Sequence, residues 1–361
     1  MSKTKDEIQK EALHVILKKD RCGIAVSMGV GKTRIGLMHM QHNLTDISRF
    51  LVVAPKKSVF QSWKDEAKDA GMEHLIPHIT FSTYLSLPKQ NLDYDIIYLD
   101  ECHNLLFSHE PWLDGYKGKI LGLTGTPPRV STREKGEMVS RFCPIVYKYL
   151  TDQAVADKIL NSYTIVMHPV VLDTAKNLRI EEKSGKVWFT SEESSYDYWT
   201  TRLEDATDGK SEHILRIMRM KSLMSFPSKE RYALSLFRSI SDKCILFANT
   251  HAQADKLCTH SYHSSNPQSE ENLALFKEGK IMKLSSVLQL IEGINVPGLK
   301  QGIIMHAYGN ERKSKQRIGR LLRLNPDDHA TIHILYYQDT IDEVWARRAL
   351  EDLDQNNIIW K

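Results

Sequence analysis

The sequence predicts an α/β fold built from two parallel-sheet domains joined by a more irregular middle segment. Short runs that are apolar on both faces recur along the chain, each closed by a polar or glycine-rich stretch, and the pattern occurs twice. Runs of this kind belong to strands covered on both sides. Their alternation with helical patterns implies right-handed crossovers. The early runs are 23–26, 50–54, 96–99 and 120–123, with helical patterns at 33–42 and 58–69; the late runs are 244–248, 302–307 and 331–337. Between the two sets, 179–186 is rich in Lys, Glu and Gly and reads as a hairpin or loop, and 191–229 is a charged helical stretch. The expected division is 1–148, a linker or accessory segment at 149–236 that partly joins the second domain, and 237–361.

A length of 361 residues fits two domains, and 41% hydrophobic residues suffices for two cores. Lys and Arg number 49 against 45 Asp and Glu. Residues 1–150 hold 21 basic and 17 acidic side chains and the remainder 28 of each, so only local patches can argue for nucleic acid. Five scattered cysteines with no CxxC pair argue against a disulfide framework and a cysteine-rich zinc site. The N-terminal stretch is polar and no apolar run approaches membrane-spanning length. The chain is therefore expected to be cytoplasmic, with no membrane partner, and a monomer.

After the first strand comes Val26-Ser27-Met28-Gly29-Val30-Gly31-Lys32-Thr33 and then a helix. Glycines at 29 and 31 allow a tight turn that aims backbone N–H groups at phosphate oxygens. The helix start adds its positive end to the same anion. Lys32 is placed to reach the β- and γ-phosphates of ATP and Thr33 to ligate Mg2+. Val26 stands where the usual spacing has its first glycine. The competing reading is a glycine-containing turn with a solvated lysine.

The third early run ends in Asp100-Glu101-Cys102-His103. Two adjacent carboxylates at a buried strand end need a cation or water. Asp100 suits magnesium and Glu101 suits polarising an attacking water. A helix-capping pair is the plainer alternative.

These residues resemble superfamily 2 helicases and translocases. Asp100-Glu101-Cys102-His103 has the form of a DExH box, and Leu123-Thr124-Gly125-Thr126-Pro127 sits where the family carries its third motif. The first half is similar to the Swi/Snf group through 27–33 and through Val53-Ala54-Pro55-Lys56 with Trp63. The second half is similar to phage UvsW and XPB-type helicases through Glu292-Gly293-Ile294-Asn295-Val296-Pro297 and 316–323. The resemblance implies two RecA-like domains with an ATP cleft between them. It implies nucleotide contacts from Gln9, Met28, Gly29, Val30, Gly31, Lys32, Thr33, Gly293 and Asn295, with Gln9 reading adenine. Asn295, in place of the Asp common in RNA-directed members, leans towards DNA. The mixture of motifs suits a phage or mobile-element protein acting in a host cytoplasm.

Gln316, Arg320 and Arg323 share one face of a predicted helix. An arginine there would stabilise charge developing on the transferred phosphoryl. Six of the 13 residues at 311–323 are Lys or Arg; Arg312, Lys313 and Lys315 read as a solvated or phosphate-facing surface. Catalysis is thus assigned to Lys32, Asp100, Glu101, Gln316, Arg320 and Arg323, and metal ligation to Thr33 and Asp100. Small hydroxyls and amides at strand ends can hold phosphates without reading sequence. Candidates are Pro55, Lys56, Ser82, Thr83, Asn249, Thr250 and the pair Ser285 and Ser286, with Thr124 added by resemblance; each can also be an ordinary helix cap. His74/His78 and His329/His333 have HxxxH spacing, but a proline interrupts one and the other enters a strand, so neither reads as a metal site. The expected activity is an ATP-driven DNA motor. RNA is the alternative polymer, a non-catalytic clamp the alternative class, and a recruiting protein an alternative source of substrate choice.

Overall fold

The protein is described from a computed structural model covering residues 2–27, 29–128, 133–181, 185–287, 296, 298–306, 328–351 and 353–361. Two compact units divide between Asn161 and Ser162. The middle segment is accordingly shared, with 149–161 in the first unit and 162–236 in the second.

The first unit opens with helix α1 (Lys5–Ile16). Thr4 and Glu7 cap it reciprocally, and Ile8, Ala12 and Ile16 form its buried stripe at spacings of four. Strands β1 (Arg21–Val26), β2 (Phe50–Ala54), β3 (Ile79–Thr83), β4 (Ile96–Asp100), β5 (Lys119–Thr124) and β6 (Ile145–Tyr149) pair in the order β3-β2-β4-β5-β1-β6, every pair parallel. Helices α2 (Lys32–His42), α3 (Ser58–Asp69), α4 (Glu110–Gly115), α5 (Arg133–Phe142) and α6 (Thr151–Ala156) complete it. Alternate strand residues face opposite cores. Ile24, Val52, Tyr98 and Leu123 pack with Ile8, Ile35 and Trp63, whereas Leu51, Val53, Leu99 and Ile120 pack with Tyr84, Leu113 and Phe142.

The inner strands match the sequence reading. The edge strands β3 and β6 escaped it because each alternates half-buried and exposed residues, so neither presents a continuous apolar run.

The second unit contains β7 (Ser162–Val170), β8 (Leu178–Glu181), β9 (Val187–Thr190), α7 (Glu192–Glu204), α8 (Gly209–Ser225), α9 (Pro227–Ser239), β10 (Cys244–Ala248), α10 (His251–Leu257), β11 (Ser261–Tyr262), α11 (Ser269–Lys277), β12 (Lys283–Val287), β13 (Gln301–Ile304), β14 (His329–Tyr337), α12 (Ile341–Leu350) and β15 (Ile358–Trp360). Its sheet runs β11-β12-β10-β13-β14-β7-β15, again all parallel. Strand β7 comes from the segment read as irregular and pairs with β14 over nine residues. The lysine-rich hairpin is present as the antiparallel ribbon β8–β9. The charged stretch that follows is three helices, with Asp208 capping α8 and Phe226-Pro227 separating it from α9.

A polar chain runs from the exposed Tyr232 through the buried His168 to the half-buried His333 and Gln301. Tyr232 Oη lies 2.9 Å from His168 Nδ1, His168 Nε2 lies 3.0 Å from His333 Nδ1, and His333 Nε2 lies 3.1 Å from Gln301 Oε1. Burial pushes His168 and His333 down to about 4 from the usual 6.5, and does the same to His39 under the first sheet. The unfolded chain takes up these protons near the ordinary value, the folded chain only near the depressed one. The contribution of these histidines to stability is therefore fully present above about pH 6.5 and is lost as the pH drops towards 4. The urea midpoint is expected to fall over that interval, and His168→Gln should flatten the slope; an unchanged slope would assign the effect to other groups.

Candidate nucleotide site

The C-terminal ends of β1, β4 and β5 are neighbours in the first sheet, and the loops beyond them converge. Past β1, Gly29 and Gly31 hold φ of 90° and 106°. Gly31 is the residue before α2, and a Cβ on it would lie 2.5 Å from Gln9 Nε2. Glycine at 31 is thus favoured by the backbone, and a larger residue would also have to displace the Gln9 amide. Gln9 donates to the Val30 carbonyl at 2.7 Å, so α1 braces the loop from behind. Lys32 and Thr33 occupy the first turn of α2.

Past β4, Asp100 is 6% exposed, and its Oδ2 accepts the Trp63 indole N–H at 2.9 Å. The Tyr84 hydroxyl donates to the Asp100 carbonyl at 2.9 Å. Glu101 adopts φ 50° and ψ 56°, a left-handed conformation that a non-glycine residue holds only when its neighbours fix it. Lys32 Nζ is 2.5 Å from Glu101 Oε1. The Thr124 hydroxyl, at the end of β5, donates to Glu101 Oε2 at 3.3 Å, accepts the Thr126 N–H at 3.1 Å, and lies 2.9 Å from His103 Nδ1. With its one proton directed at Glu101, Thr124 accepts from a Nδ1–H of His103.

This arrangement separates the two carboxyls electrically. Burial opposes the Glu101 charge, but Lys32 and His103 outweigh it and hold the group down at about 2. Burial pushes Asp100 up, against the pull of Lys32. One group is thus a committed carboxylate, and the other is a buried carboxyl whose ionisation burial opposes.

The other assigned residues fall into three sets. Pro55, Lys56, Ser82 and Thr83 close the adjacent strands β2 and β3 at the same sheet edge. The Ser82 hydroxyl donates to the Thr83 carbonyl at 3.4 Å, and that of Thr83 to Ser86 Oγ at 3.2 Å. In the second unit Asn249 and Thr250 follow β10. Thr250 accepts the Gln253 N–H at 3.2 Å while Gln253 Oε1 accepts the Asn249 N–H at 3.1 Å, so here the cap is realised. Met28, Gly293, Asn295, Gln316, Arg320 and Arg323 lie outside the described residues, as does Arg312.

Thr124 is fully buried, and its hydroxyl meets Glu101, Thr126 and His103. Ser285 and Ser286 are also fully buried, donating to the Ala254 and Tyr262 carbonyls. The bracing roles of Trp63 and Tyr84 were missed. Trp63 belongs to a motif of the resemblance, but it sits 37 residues from Asp100 and no local pattern shows that its indole reaches that carboxylate. Among the described residues no three metal-ligating side chains cluster, and His78 Nδ1 lies 3.0 Å from the Ser48 carbonyl.

Residues 3–129 match a family described as type III restriction enzyme, res subunit, and residues 228–325 match the helicase conserved C-terminal domain. A protein named DNA 3'-5' translocase XPB2, from Sulfurisphaera tokodaii, is 22% identical, covering 96% of this chain and 84% of its own length. Among solved structures, the ATP-dependent type ISP restriction-modification enzyme LlaBIII bound to DNA superposes with a TM-score of 0.63 at 14% identity, covering all of this chain; the chain spans 31% of that enzyme. A putative HsdR subunit fragment of a type I restriction enzyme from Vibrio vulnificus gives 0.59 at 17% identity, covering 99% of this chain and 67% of that one. The Pyrococcus furiosus Hef helicase domain gives 0.50 at 15% identity, covering 96% and 99%. These structures share the RecA-like fold.

Thr124→Val keeps the shape but removes the hydroxyl, leaving the half-buried Thr126 N–H without its acceptor. The expected loss is about 1–3 kcal/mol in urea unfolding, whereas Thr124→Ser should stay within about 1 kcal/mol of the parent. Equal losses would mean that packing of the methyl, not the hydroxyl, holds this strand end.

Proposed function

We propose that this chain is a superfamily 2 helicase or translocase that couples ATP hydrolysis to movement along DNA. The observation that carries the reading is the convergence of Lys32, Asp100 and Glu101 at one sheet edge, beside a loop whose two glycines hold positive φ. The donor set fits a magnesium nucleotide: backbone N–H groups at a helix start, one ammonium, a Thr33 hydroxyl and a buried carboxyl at Asp100. Bound there, ATP supplies the transferable phosphoryl group and Mg2+ the counter-charge. The protein residues orient and polarise. Lys32 offers its ammonium to phosphate oxygens, Asp100 and Thr33 would hold the ion, and Glu101 accepts a proton from the attacking water. Arg320 and Arg323 are proposed to stabilise transition-state charge, Gln316 to assist them, and Gln9, Gly293 and Asn295 to contact the nucleotide. Asn295 and the DNA-directed names of the relatives favour DNA over RNA. Pro55, Lys56, Ser82, Thr83, Asn249 and Thr250 are proposed to hold backbone phosphates.

Glu101→Gln should retain ATP binding while turnover falls by about 10²–10⁴. Parental turnover should rise with DNA and lose that stimulation as salt increases, because phosphate contacts release counterions. Assays without nucleic acid and with single-stranded, duplex, forked DNA and RNA decide the polymer; a rate indifferent to all of them would remove the motor reading.

Arg320→Ala should leave ATP affinity within a small factor while turnover falls by about 10³–10⁵. Lys at 320 should not fully rescue it, since a point charge lacks the planar fork. Arg312→Ala is expected to alter DNA affinity and not DNA-saturated turnover. Similar mild effects from both would reduce that stretch to a basic surface.

A further inference from the structure

The ribbon β8–β9 plays no part in the site described above, yet its composition is unusual for a solvent-facing element. Val187, Trp188 and Phe189 are 41%, 38% and 60% exposed on a strand of four residues. Solvent-facing strand positions are normally polar, and a two-stranded ribbon is marginally stable alone. The pairing register sorts the side chains. Leu178, Ile180, Trp188 and Thr190 share one face, and Leu178 anchors it on a core of Val170, Tyr196, Leu223, Phe226 and Tyr337. Arg179, Glu181, Val187 and Phe189 share the other face, with Arg179 directly across from Phe189 and Glu181 across from Val187. All four of these are exposed.

We propose that this outer face is a stacking platform for the bases of single-stranded DNA, with Phe189 as the ring and Arg179 as its phosphate partner; this rests on the DNA-motor reading. Single strands are held by an aromatic face beside a cation, since every base has a π-face and every nucleotide a charge. Protein-docking patches favour aromatics and Arg but deplete Lys, so the lysines that flank this ribbon in the sequence are what favours an acidic polymer. Residues 174–190 contain four Lys or Arg and two Glu, a net charge of +2 suited to an acidic polymer. Arg179 is bridged to Glu181 at 2.6 Å, but both side chains are more than half exposed, so the pair is weak and readily exchanged for a phosphate.

The test uses the full chain and a fluorescent oligothymidine read by anisotropy. Phe189→Ala should weaken binding by about 5- to 100-fold, and Phe189→Trp should restore it, as expected for loss of one stacked base. Ile47→Ala, which removes an apolar side chain that is 87% exposed in the first unit, is the control and should bind like the parent. Iodouracil placed in the oligonucleotide should crosslink to the tryptic peptide 187–202. If the parent binds DNA, Phe189→Ala binds equally well and the crosslinks fall elsewhere, the ribbon is not a DNA platform and a protein partner becomes its occupant. If the parent binds no DNA and its turnover ignores DNA, the motor reading fails and this inference fails with it.

Discussion

A single ion pair fixes the geometry of the nucleotide site. Lys32 Nζ and Glu101 Oε1 lie 2.5 Å apart, with side chains only 12% and 18% exposed. Neither charge can be left alone at such depth without a penalty of several kcal/mol. The helix that begins at Lys32 and the strand end that carries Glu101 therefore cannot be placed independently. The inner strands β1, β5 and β4 hold them in register, and Thr124 on the strand between them ties the same carboxylate by a hydroxyl. Lys32 offers one ammonium to two possible anions, Glu101 and a nucleotide phosphate. On the proposed reading, recruitment of Lys32 to the phosphate loosens Glu101 and makes it a better proton acceptor, so the pair restrains the base until substrate arrives.

The left-handed backbone at Glu101 belongs to the same constraint. A φ of 50° at a glutamate costs of order 1 kcal/mol or more and persists only where the surroundings over-determine it. Here the Asn104 N–H and side-chain amide both donate to the Glu101 carbonyl at 2.9 Å, and the side chain is held by Lys32 and Thr124. The turn aims the carboxylate back over the sheet edge while Asp100, one residue earlier, stays on Trp63. Adjacent acids thus acquire opposite electrostatic environments.

Most of this was legible in the sequence where burial is complete on both faces. Strands β1, β2, β4 and β5 announced themselves as unbroken apolar runs, and their polar ends carried the phosphate loop and the two acids. Legibility failed where burial is one-sided or where a polar group is satisfied out of sight. The edge strands β3 and β6 alternate. Strand β7 includes His168 and Pro169 and finds its partner β14 more than 160 residues away, a pairing no local pattern reveals. Ser285 and Ser286 looked like strand-end hydroxyls awaiting a phosphate, yet their oxygens already donate to backbone carbonyls inside the second unit. Thr124 was identified by its motif, but its link to Glu101 was not, because sequence shows a hydroxyl and not its partners.

The second sheet shows why the middle of the chain read as irregular. Its first segment, β7, enters next to β14, one of the last strands, and the chain between β7 and α9 adds no further strand to that sheet before β10. Such an excursion is free of the packing rules that give parallel strands their apolar signature. Its composition therefore reports something other than core formation. In β8–β9 that freedom has been used to place apolar side chains outward, where folding alone gains nothing from them. Charged helices around the ribbon could solubilise such an element only by diluting it. An exposed aromatic that persists beside an arginine is better explained by a ligand that needs both.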